Sequence, residues 1–121
     1  MSVTDFTEAI EGKTEIEITV RGRRTKKARS TTVWFVYQGD KIYLLPVRGS
    51  DTSWYKNVLK DPDVTLTVDG RSLQARAEPI TEPDRVQRVI ELFAEKYGGM
   101  SEIKRWYSKL DVAIEIFPKP E

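Results

Sequence analysis

Apolar and polar residues alternate in several short runs along the chain. Ile16, Ile18 and Val20 interleave with Glu15, Glu17 and Thr19, the pattern of a strand with one buried face. Thr31 to Tyr37 is apolar on both faces through Val33, Trp34, Phe35 and Val36, which predicts a strand in the middle of a sheet. Gly39-Asp40 turns the chain, and a third strand is expected over Lys41 to Val47, with Pro46 marking an edge or bulge. Val64, Leu66 and Val68 alternate with threonines up to Asp69-Gly70, a strong hairpin signal. Leu73, Ala75 and Ala77 form the return strand, and Val112, Ile114 and Ile116 form a sixth.

Helical spacing occupies the stretches between. Residues 3–11 carry Phe6, Ala9 and Ile10 on one face, with Thr4 as the expected cap. Trp54, Tyr55, Val58 and Leu59 form i, i+4 pairs in a short helix capped by Asp51, Thr52 or Ser53 and stopped at Asp61-Pro62. Val86, Val89, Ile90, Phe93, Ala94 and Tyr97 share one stripe of a longer helix, with Thr81 as its cap, Pro83 in its first turn and Gly98-Gly99 at its end. A second short helix is expected from Ser101. Six strands joined largely by hairpins, with a late helix pair, predict an α+β, mainly β chain folded as one antiparallel barrel domain over residues 1–121.

Composition narrows the chemistry. The chain has no cysteine and no histidine, which removes disulfides, thiol nucleophiles, Cys/His metal sites and His-based triads. No protein metal site is expected. A reaction on this chain would need a cofactor to bring the chemistry. No apolar run is long enough for a membrane helix and no secretory signal is visible, so the expectation is a cytoplasmic protein without membrane insertion.

Charge is concentrated rather than spread. Arg21, Arg23, Arg24, Lys26, Lys27 and Arg29 place six cations within nine residues, and the rest of the chain is acidic overall. With Gly22 to ease a turn, this segment, read as a loop over residues 21–30, suits an anion, since guanidinium groups bond phosphate bidentately. A solvated loop and a nucleic-acid surface are the alternatives. The acidic remainder and the absence of an RNA-recognition aromatic motif argue against nucleic acid. Arg48-Gly49-Ser50, a turn leading into Trp54, offers backbone N–H groups at a helix start, or is an ordinary capped helix over a buried Trp. Tyr97, Met100, Trp106 and Tyr107 fit a core or an aromatic pocket equally. Glu15 and Glu17, on the polar side of an amphipathic strand, read as solvated.

The order of these motifs resembles the deazaflavin-dependent nitroreductase and quinone reductase family of the flavin-binding, pyridoxamine-phosphate-oxidase-like split β-barrels. The likeness runs over roughly residues 14–118. It rests on Gly-Arg-Arg-Thr ending in Arg29-Ser30-Thr31-Thr32, on Val47-Arg48-Gly49-Ser50, and most specifically on Trp54-Tyr55-Lys56-Asn57 through Pro62-Asp63-Val64.

The resemblance implies a six-stranded split β-barrel with peripheral helices, binding coenzyme F-420 or, in relatives, FMN. It implies hydride transfer to a small-molecule substrate such as a quinone, nitro compound or activated alkene. A split-barrel flavoprotein using FMN and a non-catalytic cofactor-binding protein are the alternatives. Carried over, Arg23, Arg24, Arg29, Ser30 and Thr31 hold the cofactor's phosphate and tail. Val47, Arg48, Gly49, Ser50, Trp54 and Asn57 border it, and Tyr97 matches a family tyrosine near the substrate. Met100 and Ile103 stand where quinone-reducing members carry tyrosines, which implies, with Trp34 and Trp106, a more apolar substrate pocket. Two-sided apolar strands permit a homodimer.

Overall fold

Alternation in the strands becomes a closed wall. The computed structural model describes residues 3–119, with side chains from Asp5 onward. Helix α1 spans Val3–Ile10 and strands β1, β2 and β3 span Glu15–Arg21, Ala28–Gln38 and Lys41–Leu44. A 3-10 turn over Gly49–Asp51 leads into α2 (Ser53–Lys60), followed by β4 (Asp63–Val68) and β5 (Arg71–Ile80). Helices α3 (Pro83–Tyr97) and α4 (Met100–Trp106) precede β6 (Ala113–Pro118). The strands close in the order β1-β2-β3-β6-β5-β4, every neighbour antiparallel. This is the antiparallel six-stranded barrel expected from the hairpin pattern. Among the described residues no helix is long and apolar enough to cross a membrane.

Two hairpins turn through two-residue loops with both residues in the left-handed region, Gly39-Asp40 (φ 60° and 64°) and Asp69-Gly70 (φ 49° and 76°). Such turns match the twist of the strands they join.

The strand faces sort the core into two clusters. Inward residues such as Ile18, Phe35, Leu44, Leu66 and Ile114 fill the barrel, and Phe6 and Ile10 of α1 with Trp54, Tyr55 and Val58 of α2 pack into the same cluster. Outward residues of β2 and β6, Val36 and Ala113, pack instead with Val89, Ile90 and Phe93 of α3 and Ile103 of α4. The two-sided apolarity of β2 therefore reflects one face in the barrel and one face with the helices.

Several boundaries differ from the sequence reading. β3 stops at Leu44, two residues before Pro46, whose ring cannot donate a ladder hydrogen bond. The basic segment is shorter as a loop, because Arg21 ends β1 and residues 28–30 belong to β2. α1 begins at Val3, which leaves Thr4 inside the helix, its side chain outside the described residues. α3 is preceded by Glu82, not Thr81, and no side chain bonds its first amides; Pro83 at its start lacks the N–H that would otherwise need a partner. α4 starts one residue early, at Met100. Leu59 turns outward at 55% exposure while Trp54, Tyr55 and Val58 are buried.

Outward Glu115 of β6 is an acid only 4% exposed. Lys41 and Arg85 each reach it at 3.4 Å, which offsets the cost of burying its charge.

Candidate functional site: an arginine pocket and an aromatic cleft

The loop between β1 and β2 closes on itself. The Gly22 N–H donates to the Lys27 carbonyl at 2.8 Å and the Lys26 N–H to the Gly22 carbonyl at 2.9 Å, with Lys26 in the left-handed region (φ 62°). A Cβ at Gly22 would stand 2.8 Å from Thr25 Oγ1 and 3.3 Å from Arg29 Nε, so a side chain there would push both aside. Arg29 is thereby folded back over the loop that carries Arg23 and Arg24.

Asn57 fixes this loop to α2. Only 3% exposed, it accepts from the Arg23 N–H at 3.0 Å and from Arg23 Nη1 at 2.8 Å. Nη1 also lies 3.4 Å from the Ser53 carbonyl oxygen. The result is a pocket of about 350 Å³ lined by Arg23, Arg24, Thr25, Arg29, Ser53 and Asn57. Ser53 opens α2, whose first amides receive no side-chain cap: the flanking Thr52 uses its hydroxyl to accept from the Arg48 N–H at 2.8 Å. Three guanidinium groups thus meet at an uncapped helix start, where free N–H groups and the helix dipole favour an anion. Arg24 and Arg29 are exposed and make no ion pair among the described residues.

Further along β2 lies a cleft of about 290 Å³, lined chiefly by Trp34, Trp106, Tyr107, Val47, Leu45 and Glu15. Trp34 stacks on Tyr97 with centroids 4.4 Å apart and planes 6° from parallel. Trp106 and Tyr107 stand edge-on to Trp34 at 6.4 Å and 6.0 Å. Burial pushes the Tyr107 phenol well up.

Tyr97 sits behind this cleft rather than among its lining residues. Its hydroxyl lies 2.6 Å from the Phe35 carbonyl oxygen, 2.8 Å from the Thr14 carbonyl oxygen and 3.0 Å from the Phe35 N–H, which donates to it. β1 and β2 pair only as far as Glu15 and Trp34, so this hydroxyl takes over where the ladder ends. Burial, with a smaller push from Glu15, raises the phenol to about 12 against the pull of the Phe35 hydrogen bond.

The remaining residues fall in different places. Arg23, Arg24, Arg29 and Asn57 come together, and Trp34, Trp106 and Val47 come together. Ile103 is fully buried beneath α4 and does not line the cleft, since the helix turns it onto Phe93 and its neighbours. Met100 is partly exposed at the start of α4 and is not among the cleft's lining residues. Trp54 is buried in the barrel cluster. Ser30 bonds Thr19 at 2.8 Å across the outer face of the sheet, and Thr31 pairs with Ile18.

Arg48, Gly49 and Ser50 belong to a latch. Ser50 donates its N–H to Asp111 Oδ1 at 2.9 Å and its hydroxyl to Asp111 Oδ2 at 2.5 Å. Arg48 forms a parallel bridge with Lys109. Burial acts to raise the Asp111 carboxyl, but the Ser50 hydrogen bonds and Lys109 hold it below the ordinary range.

Sequence reasoning missed Glu15 as a cleft residue and missed Asp111. Glu15 sits directly across from Trp34 in the β1–β2 register, which alternation alone does not reveal.

Solved structures share this architecture at low identity. An F420-H2 dependent reductase (FDR-A) superposes with a TM-score of 0.67 at 21% identity, over 86% of this chain and 94% of that one. A putative pyridoxamine 5'-phosphate oxidase from Listeria innocua gives 0.70 at 13% identity, over 98% and 94%. HutZ, a heme storage protein from Vibrio cholerae, gives 0.72 at 12% identity, over 100% and 93%. The fold is therefore that of the pyridoxamine-phosphate-oxidase-like split β-barrels, and it is shared by proteins with different ligands. No curated protein matches by sequence. One family model covers residues 7–113, and by that match the chain belongs to the family described as an uncharacterized protein conserved in bacteria, DUF2255.

Proposed function

We propose that this chain is a split-barrel oxidoreductase that binds coenzyme F-420 and reduces a small organic acceptor. The observation that carries the reading is the pocket of Arg23, Arg24 and Arg29 at the uncapped start of α2. That donor set fits a phosphate with an acidic tail: planar guanidinium forks, a helix start and no competing carboxylate among the lining residues.

When bound, the reduced deazaflavin supplies the hydride. The chain's own residues bind, orient and shield. Arg24 and Arg29 hold the anionic end, and Asn57 holds Arg23 in place by its two hydrogen bonds. The aromatic cleft opens on the same strand, five residues beyond Arg29 and so roughly 16 Å away along β2. Its indole and phenol walls exclude water from a planar acceptor. Tyr97 keeps Trp34 in position through the stack and the backbone hydrogen bonds, and is a positioning residue on this reading. The likeness in fold to an F420-H2 dependent reductase supports the choice of deazaflavin.

Titration of the purified protein with coenzyme F-420, followed by absorbance and calorimetry, tests this. Arg24→Ala and Arg29→Ala should each weaken binding by about 1.5–3 kcal/mol, the scale of a charged hydrogen bond. Tighter binding of FMN than of F-420 through the same arginines would move the reading to a flavoprotein. Unchanged affinity in both variants would end it.

A further inference from the structure

We propose that the aromatic cleft binds a planar organic cation. On the reading above this ligand is the acceptor, but binding in the cleft can be measured without any cofactor.

Two independent features point to positive charge. The first is the wall: Trp34, Trp106 and Tyr107 bring three π systems to one cleft, with Trp106 54% exposed. Aromatic faces attract cations, indole most strongly. The Trp106 ring already shows this, with the Arg105 guanidinium 5.6 Å from its centroid and paired to Glu102 at 3.7 Å.

The second feature is Glu15. It lines the cleft from β1, directly opposite Trp34 and on the same face of the sheet. It is exposed and makes no hydrogen bond or ion pair among the described residues. No arginine or lysine is among the cleft's lining residues. An unpaired carboxylate beside three aromatic rings complements a flat cation and penalises a flat anion. Glu17 follows on the same face, opposite Thr32, and adds negative charge at the rim.

Isothermal calorimetry at pH 8 with three probes of similar shape provides the test: N-methylquinolinium, neutral quinoline and naphthalene-2-sulfonate. The cation should bind about fivefold to tenfold more tightly than quinoline, and the sulfonate weakest. Glu15→Gln should cut the cation's advantage over quinoline to about twofold, the share left to the aromatic walls, while leaving quinoline unchanged. Trp106→Ala, at an exposed position that leaves the barrel core intact, should weaken both. Equal affinity for the cation and quinoline, tighter binding of the sulfonate, or full cation affinity in Glu15→Gln would each overturn the proposal. None of these results bears on F-420 binding at the arginine pocket, so the two readings fail separately.

Discussion

Replacing Asn57 tests whether one side chain both stabilises the fold and shapes the anion pocket. Asn57→Ala removes an acceptor that serves the Arg23 N–H at 3.0 Å and its guanidinium at 2.8 Å. A neutral hydrogen bond contributes about 1 kcal/mol and a charge-assisted one about 1.5–3 kcal/mol. Arg23 is partly exposed, so water replaces some of the loss, and the net cost should be about 2 kcal/mol. With a urea m-value near 1.5–2 kcal/mol/M, the unfolding midpoint falls by about 1 M, read by tryptophan fluorescence. Asn57→Asp separates the two roles. A carboxylate keeps both acceptor bonds, so stability should return to within about 1 kcal/mol of the parent. It also places a negative charge in the pocket, so affinity for inorganic pyrophosphate should fall by about tenfold or more. Pyrophosphate binding by Asn57→Asp at parental strength would refute the anion pocket. A midpoint shift in Asn57→Ala equivalent to less than about 0.5 kcal/mol would refute the clamp.

Three other expectations follow from the buried hydroxyl and the latch. Tyr97→Phe should cost about 1–3 kcal/mol in urea unfolding, because the Phe35 N–H loses its partner, and should shift Trp34 emission. The same phenol is raised to about 12, so its contribution is intact below pH 10 and disappears as pH rises through about 12; absorbance titration at 295 nm should show Tyr97 ionising last with Tyr107. Gly49→Ala should destabilise by about 2–4 kcal/mol in thermal unfolding. Gly49 has φ 53°, and a Cβ there would run into Asp111 Oδ1 and stand 3.0 Å from the Lys109 carbonyl oxygen.

What was readable in the sequence was local. Alternation located β1, β4, β5 and β6 because each has an inward face, a two-sided apolar run located β2, the Gly39-Asp40 turn located β3, and the two left-handed turns announced themselves as Gly-Asp and Asp-Gly. The arginines were readable as a group because they lie within nine residues of one another. The cleft was only half legible. Trp34 and Trp106 come from distant elements and meet because α4 packs on α3, which itself lies against β2, while Glu15 looked like any polar residue on an alternating strand. Its place beside Trp34 depends on strand register, a product of tertiary pairing. Helical spacing did not separate Ile103, fully buried, from Trp106, which faces the cleft three residues later. The Ser50–Asp111 latch joins two loops 61 residues apart and leaves no local pattern.

The position of β6 in the ring bears on how the chain is made. β6 follows the other five strands in the chain, yet it sits between β3 and β5 and completes the circle. Without residues 113–118, β3 and β5 would each keep an unpaired edge, the kind of surface on which nascent chains stick to one another. Closure of the barrel therefore waits for β6. A chain stalled before Ala113 would display those two edges to chaperones, and docking of β6 would conceal them.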